Sequence, residues 1–279
     1  RTLIFLGALL GLFRGDLLSS SGKGSPNWIM SLIVMLPAAL GLPLSALHLG
    51  RPLKAMTAMK NIKTSWLSRE ALALGLFTGL MSLNVALYYF EVSAYLRVFF
   101  EALTLGIGVY GIYAQGMIYQ ITARPSWNRV STLLKFFGVS YIGLFLLAFA
   151  LLLQNEQEAS SALMSLALLF ALAQGFFSYE DRRTLSTTSS YEAELTKTKR
   201  IYDEFYAQHQ LVRIGSFALG AIFLPLIVTV MIGSQTAPLI LGLAIVLMSV
   251  SEFVDRFMFY ATVVPLNMAG GFFAGAQRH

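Results

Sequence analysis

His48 closes an apolar run in Ala46-Leu47-His48-Leu49-Gly50-Arg51-Pro52, and Glu70 opens the next one in Ser68-Arg69-Glu70. A third group lies in the last apolar run, Ser251-Glu252-Phe253-Val254-Asp255-Arg256-Phe257-Met258-Phe259-Tyr260. Imidazole and carboxylate are the side chains suited to exchanging a proton near neutral pH. A carboxylate half-buried at a helix start can be tuned into that range by its surroundings. Ionisable side chains in apolar helices are costly, so each is a candidate functional residue. Glu252 and Arg256 are four apart, so they share a helix face and can neutralise each other. These groups gather toward one membrane surface and do not line up across the bilayer. That pattern speaks against an ion pathway and suits an amphipathic redox carrier with its head group near the surface. Oxidation of a quinol releases protons together with electrons, and His and Glu are natural acceptors. Plainer readings stand beside this one. His48 also reads as an interfacial histidine bonded to backbone. Glu70 also reads as a first-turn acid stabilised by a helix N-terminus. Glu252 with Arg256 also reads as a neutral pair holding the last helix in place, and Arg124-Pro125-Ser126-Trp127 as a loop followed by an interfacial anchor.

The elements that must hold these residues are set by composition. Of 279 residues, 56% are hydrophobic and 12% charged, about half the charged share of a soluble domain. Lipid accepts such a surface and water does not. A crossing helix needs roughly 20 apolar residues. The predicted fold class is an all-α integral membrane protein, a bundle of about eight transmembrane helices forming one domain over 1–279. Apolar runs separated by polar breaks place the helices at 1–13, 28–47, 70–90, 97–119, 133–153, 159–178, 211–232 and 237–263. Arg1 stands inside an apolar run with no initiator Met, and the first helix is expected to be truncated.

Loops 48–69, 120–132 and 179–210 fall on one face with both chain ends. On or beside them lie sixteen of the twenty Lys and Arg, while Arg14, Lys23 and Arg97 mark the other face and Arg256 lies within the last run. The positive-inside rule puts the basic face in the cytoplasm of a multi-pass protein, here a bacterial or archaeal cytoplasmic membrane. A basic face is also a docking surface for an acidic partner. Trp28, Trp66 and Trp127 stand at predicted helix edges, as an interfacial aromatic belt does. In the longest loop, Ser189-x-x-Glu192 reads as a capping box. Leu195, Ile201, Tyr202 and Phe205 then form one side of a helix through 191–209, either docking to a partner or membrane surface, or merely connecting.

Cysteine is absent, so the protein holds no disulfide, thiolate metal site or iron–sulfur cluster of its own. Three His exclude a multi-haem protein. The net charge of +6 belongs with cytoplasmic loops, and no nucleic-acid partner is expected. A secondary transporter or permease is the alternative, but it calls for interrupted helices and midplane polar groups in repeated halves, which the runs do not show clearly. A b-type cytochrome needs paired His, and His48 and His209 are the two near helix ends.

The run Leu47-His48-Leu49-Gly50-Arg51-Pro52-Leu53-Lys54-Ala55 resembles the conserved helix 2–3 loop of membrane anchor subunits of the dimethyl sulfoxide reductase family. There His-Leu-Gly-x-Pro is followed by Ser-x-Glu, and Ser68-Arg69-Glu70 falls at the matching spacing. Pro125-Ser126-Trp127 is similar to the family's Pro-Thr-Trp. Glu252-x-x-x-Arg256-x-x-Phe259-Tyr260 is similar to its Gly-Glu-x-x-Gly-Arg-x-x-Phe-Tyr, with Asp255 in place of the glycine before Arg. The resemblance runs in order from 48 to 260. It implies an anchor for an iron–sulfur electron-transfer subunit and a molybdopterin catalytic subunit, working in anaerobic respiration. The anchor would bind menaquinol or another quinone and would itself hold no haem, no iron–sulfur cluster and no molybdenum. His48 and Glu70 match the positions tied to quinol binding. Arg51 and Lys54 would surround Glu70, Arg256 would bound the pocket, and Trp127, Glu252 and Tyr260 would lie nearby.

Reporter fusions check the topology: those near residues 60 and 195 should agree with each other and oppose one near 156. Disagreement between 60 and 195 would break the helix count.

Overall fold

The computed structural model of the protein describes residues 61–153, 155, 157–186 and 192–266. Its long elements are α1 (Trp66–Tyr89), α2 (Ala94–Ile118), α3 (Val130–Gly138), α4 (Ser140–Leu153), α5 (Gln157–Arg183), α6 (Glu192–Phe205), α7 (Ala207–Phe217), α8 (Leu224–Val230) and α9 (Ala237–Ala261). Among the described residues six helical stretches are long and apolar enough to cross a membrane: α1, α2, α3 with α4, α5, α7 through α8, and α9. These are the six runs expected beyond residue 69. The runs 1–13 and 28–47, the truncated first helix and Ser189 lie outside the described residues, as do His48, Arg51 and Lys54.

Two compact units divide the protein, Arg1–Ile118 with Val139–Ala167 and Tyr119–Gly138 with Leu168–His279. In the first, Ser65 caps α1 by accepting a hydrogen bond from the Ser68 amide at 3.3 Å. The other end of α1 closes with bonds from Val92 N–H to Leu87 O at 3.0 Å and from Glu91 N–H to Tyr88 O at 3.3 Å. This closure puts its pivot residue in the left-handed region. Glu91 holds that position at φ 50° without glycine's freedom.

One stripe of α1 is buried, comprising Glu70, Ala73, Phe77, Met81, Asn84 and Tyr88 at helical spacing. Lipid is as apolar as leucine, so burial of apolar surface alone does not hold two membrane helices together. Close packing and polar bonds do. Across α1 and α2, Asn84 Nδ2 donates to Thr104 Oγ1 at 2.9 Å, and the Tyr88 hydroxyl donates to Glu101 Oε1. Farther along, Gly111 lets α2 close on Ala73. Outward-facing apolar side chains remain on the spans, and Val230, Leu239 and Phe253 are each at least 75% exposed. Such exposure is expected where lipid is the solvent.

In the second unit Ala218–Phe223 forms a π-helical turn between α7 and α8. Pro225 follows, and it has no N–H to give to the carbonyl of Ala221. A wider turn absorbs that loss inside the span. The turn brings Gly220 against α9, where a Cβ would stand 2.8 Å from the Ala244 carbonyl oxygen and 2.9 Å from Met248 N.

Two sequence expectations are corrected here. Glu70 is not a first-turn acid, because α1 begins at Trp66 and has no acid in its first turn. The loop helix ends at Phe205, and its buried side is Leu195, Thr198 and Tyr202, with Phe205 73% exposed.

Gly220→Ala should cost about 1–3 kcal/mol by overpacking against rigid backbone. Gly75→Ala, with nothing within 4 Å of its Cβ, should cost nothing. Thermal unfolding of the purified protein in detergent checks both.

Candidate functional site

In the first unit, Ser68 and Glu70 are each 2% exposed, while Arg69 turns the other way. Arg69 donates to the carbonyls of Ile62 at 2.9 Å and Lys63 at 2.8 Å, and lies over the Trp66 ring at 4.2 Å. The arginine thus ties down the turn before α1, and Glu70 continues the stripe of α1 that packs on its neighbour. A carboxylate so buried inside an apolar span is costly, and sites that move protons are where such groups persist. Glu101, also 2% exposed, lies in α2. Because α2 enters from the Ser93 end, Glu101 falls toward the opposite surface from Glu70. The expectation that ionisable groups gather at one surface therefore fails for this residue.

The second unit brings together Trp127, Glu252, Arg256 and Tyr260. The indole of Trp127 stacks on Phe259 with ring centres 5.0 Å apart, and its Nε1 donates to the Phe259 carbonyl at 2.9 Å. That carbonyl belongs to the last turn of α9 and has no helical partner of its own. Arg124 covers the other ring contact of Trp127 at 4.2 Å, and Leu266 N–H donates to Ala123 O at 2.9 Å. Tyr119 and Tyr260 share a hydroxyl contact of 2.5 Å. Trp127 is therefore a buried clasp between the loop and α9, where the sequence pattern placed it in an interfacial belt.

Arg256 lies over the Phe136 ring at 4.1 Å. The ion pairs of the described residues include none between Arg256 and Glu252; Glu252 instead accepts from Gln174 Nε2 at 3.4 Å. A Cβ at Gly138 would overlap the Gln174 amide, so the glycine makes room for that contact. The expected helix-face pair is thus not among these contacts, and the carboxylate that gathers the cations is Asp255.

Asp255 is 4% exposed and lies between two cations. Arg213 Nε stands 3.0 Å from Oδ1, an ion contact rather than an aligned hydrogen bond. Lys135 Nζ stands 3.5 Å from Oδ2 and 3.5 Å from Asp181 Oδ2. Asp181 in turn holds Arg129 at 3.4 Å and accepts from Ser131 Oγ at 2.5 Å. Arg129 donates to the Asp181 carbonyl at 2.9 Å and also to Thr184 Oγ1. Charges of alternating sign thus run Arg129, Asp181, Lys135, Asp255, Arg213, linking α3, α5, α7, α9 and the loop before α3. Sequence reading gave Asp255 no partner and did not single out Lys135, Asp181 or Arg213. The available signal was a lone Lys and a lone Asp within apolar runs, each of which requires a counter-ion. Which cation meets which acid is a matter of helix packing.

His209, the one histidine among the described residues, lies beside the rings of Tyr206 and Phe257. No group of three or more His, Cys, Asp and Glu among the described residues is placed to hold a metal ion.

Residues 4–262 match the family model of the DMSO reductase anchor subunit (DmsC). The protein belongs to the DmsC family. It is 25% identical over 274 residues to a polypeptide of the anaerobic dimethyl sulfoxide reductase of Haemophilus influenzae, an alignment covering 93% of this sequence and 91% of that one. It is 24% identical over 269 residues to the protein of the same name from Escherichia coli, covering 95% and 91%. A sulfite dehydrogenase polypeptide from Allochromatium vinosum is 33% identical over 135 residues, which cover 43% of this sequence and 41% of the relative. The helices described above are thus those of a DmsC-family membrane anchor, and the family expectation drawn from residues 48 to 260 holds over nearly the whole sequence.

Removing one member of the buried charge chain should be severe. Asp255→Asn leaves Arg213 and Lys135 short of a counter-ion and should cost about 3–5 kcal/mol, read as a fall in thermal stability in detergent. The double variant Asp255→Asn with Lys135→Met should recover part of that loss.

Proposed function

We propose that this protein binds quinol in the bacterial cytoplasmic membrane and passes its electrons to an iron–sulfur subunit docked beside it. That subunit feeds a molybdopterin catalytic subunit, and the protein serves both as anchor. The family match over residues 4–262 carries this reading. The near-complete burial of Glu70 inside a membrane span supports it further. The whole protein works as one membrane domain in this role.

Menaquinol is the expected donor in anaerobic respiration. One quinol becomes one quinone, with its electrons leaving for the nearest cluster of the partner and its protons leaving through the anchor's own residues. His48 accepts a hydrogen bond from one quinol hydroxyl, and Glu70 takes or relays a released proton. Arg51 and Lys54 keep Glu70 ionised enough to act as a base. Arg256, Trp127, Glu252 and Tyr260 are further candidates, taken from the family resemblance of the loop before α3 and the last helix. The absence of cysteine agrees with this division of labour, since the clusters that receive the electrons then belong to a partner.

Glu70→Gln keeps the shape of the side chain and removes its charge. In the purified complex it should lower quinol-dependent turnover by roughly 10²-fold, while activity with a dye that feeds the soluble subunits directly survives. Unchanged quinol turnover in both Glu70→Gln and His48→Ala would make these residues structural and end the assignment.

A further inference from the structure

Where α5 ends and α6 and α7 lie close by, the second unit forms an open cavity of about 660 Å³. Four cations line it: Arg182, Arg183, Lys199 and Arg213. Against them stands one acid of the lining, Asp203. Arg213 is engaged by Asp255 at 3.0 Å, and Arg183 by Glu180 at 3.3 Å. Arg182 meets Asp203 at 4.0 Å, the outer limit of an ion pair, and Lys199 takes part in no ion pair among the described residues. The cavity therefore holds more positive charge than the side chains around it balance. Tyr202 forms part of the wall, and burial pushes its phenol up from the usual value, so it stays protonated and able to donate.

Most of the remaining wall, Gly175, Tyr179, Ile214 and Phe217, belongs to membrane-crossing helices and is largely apolar. Tyr179 of α5 is 63% exposed and Ile214 of α7 is 50% exposed, with Phe217 one turn farther into the span. One cavity thus offers cations and a hydroxyl at the end of the spans, and apolar surface leading along them. That is the complement of an amphiphile with an anionic head. Each Lys or Arg near a membrane surface attracts anionic lipid by about 1 kcal/mol.

We propose that this cavity seats the phosphate of an anionic phospholipid, held by Arg182 and Lys199, with its acyl chains lying along α5 and α7. An acidic protein segment would match the cations but not the outward-facing apolar wall. A free phosphate would match the cations alone.

The test uses the intact complex purified in mild detergent, with bound lipid measured by mass spectrometry after extraction. Wild type should retain phosphatidylglycerol or a related anionic lipid at about one per anchor, above its share in the bulk membrane. Arg182→Gln with Lys199→Gln should lower that retention roughly tenfold. Arg200→Gln, which removes an exposed cation paired with Glu204 outside the cavity, should leave it unchanged. Phosphatidylglycerol added to delipidated protein should raise the unfolding temperature of wild type and of Arg200→Gln, but not of the double variant. Equal retention in wild type and the double variant overturns the proposal. So does equal stabilisation by inorganic phosphate, which would make the cavity a simple anion site. Loss of the partner subunits from the double variant with lipid retention unchanged also overturns it, in favour of a protein ligand.

Discussion

An ionised carboxylate inside a membrane span must have its charge met by the protein, because lipid offers nothing in return. Asp255 imposes that constraint on the second unit. It is met by Lys135 from α3 and Arg213 from α7, and Lys135 is shared with Asp181 of α5. Four helices are thus tied through one series of alternating charges. Ser251 Oγ, donating to the Arg213 carbonyl at 3.0 Å, fixes the register of α9 on α7 one turn away. Once that register is set, Phe259 meets Trp127, and Arg256 settles on Phe136. The aromatic clasp at the end of α9 follows from the charge series deeper in the same helix.

The first unit solves the same problem at smaller scale. Glu101 is met by Tyr88, and Asn84 by Thr104, on the stripe of α1 that also carries Glu70. Small residues set how closely the helices approach, with Gly111 beside Ala73 here and Gly220 beside Ala244 in the second unit. Polar bonds and close contact do this work because lipid gives apolar side chains little reason to prefer protein.

The spans were legible because their signal is local: roughly 20 apolar residues between polar breaks mark a crossing wherever they occur. The family motif was legible for the same reason, since His48, Glu70 and their neighbours stand close along the sequence. Pairing was not. Glu252 and Arg256 satisfy the spacing rule for an intrahelical pair, yet Glu252 meets Gln174 and Arg256 lies on Phe136. The spacing rule describes an isolated helix, and here neighbouring helices offered better partners. Asp255 looked like a mere departure from a family glycine because Lys135 is 120 residues distant in sequence. The loop helix was legible in its buried Leu195 and Tyr202, whereas Phe205, at a spacing that would share their side, is exposed, because spacing gives the face of a helix and not what covers each turn of it.

A cysteine-free DmsC-family protein with a buried glutamate in its membrane span is the basis of the proposed role, quinol oxidation for a partner that would hold the clusters. Electron delivery is the most direct test. The intact complex and its soluble subunits alone should each be mixed anaerobically with a reduced menaquinol analogue, and their iron–sulfur clusters followed by electron paramagnetic resonance. The account predicts cluster reduction in the intact complex and none on that timescale in the soluble subunits lacking this anchor. Equal reduction in both would contradict it.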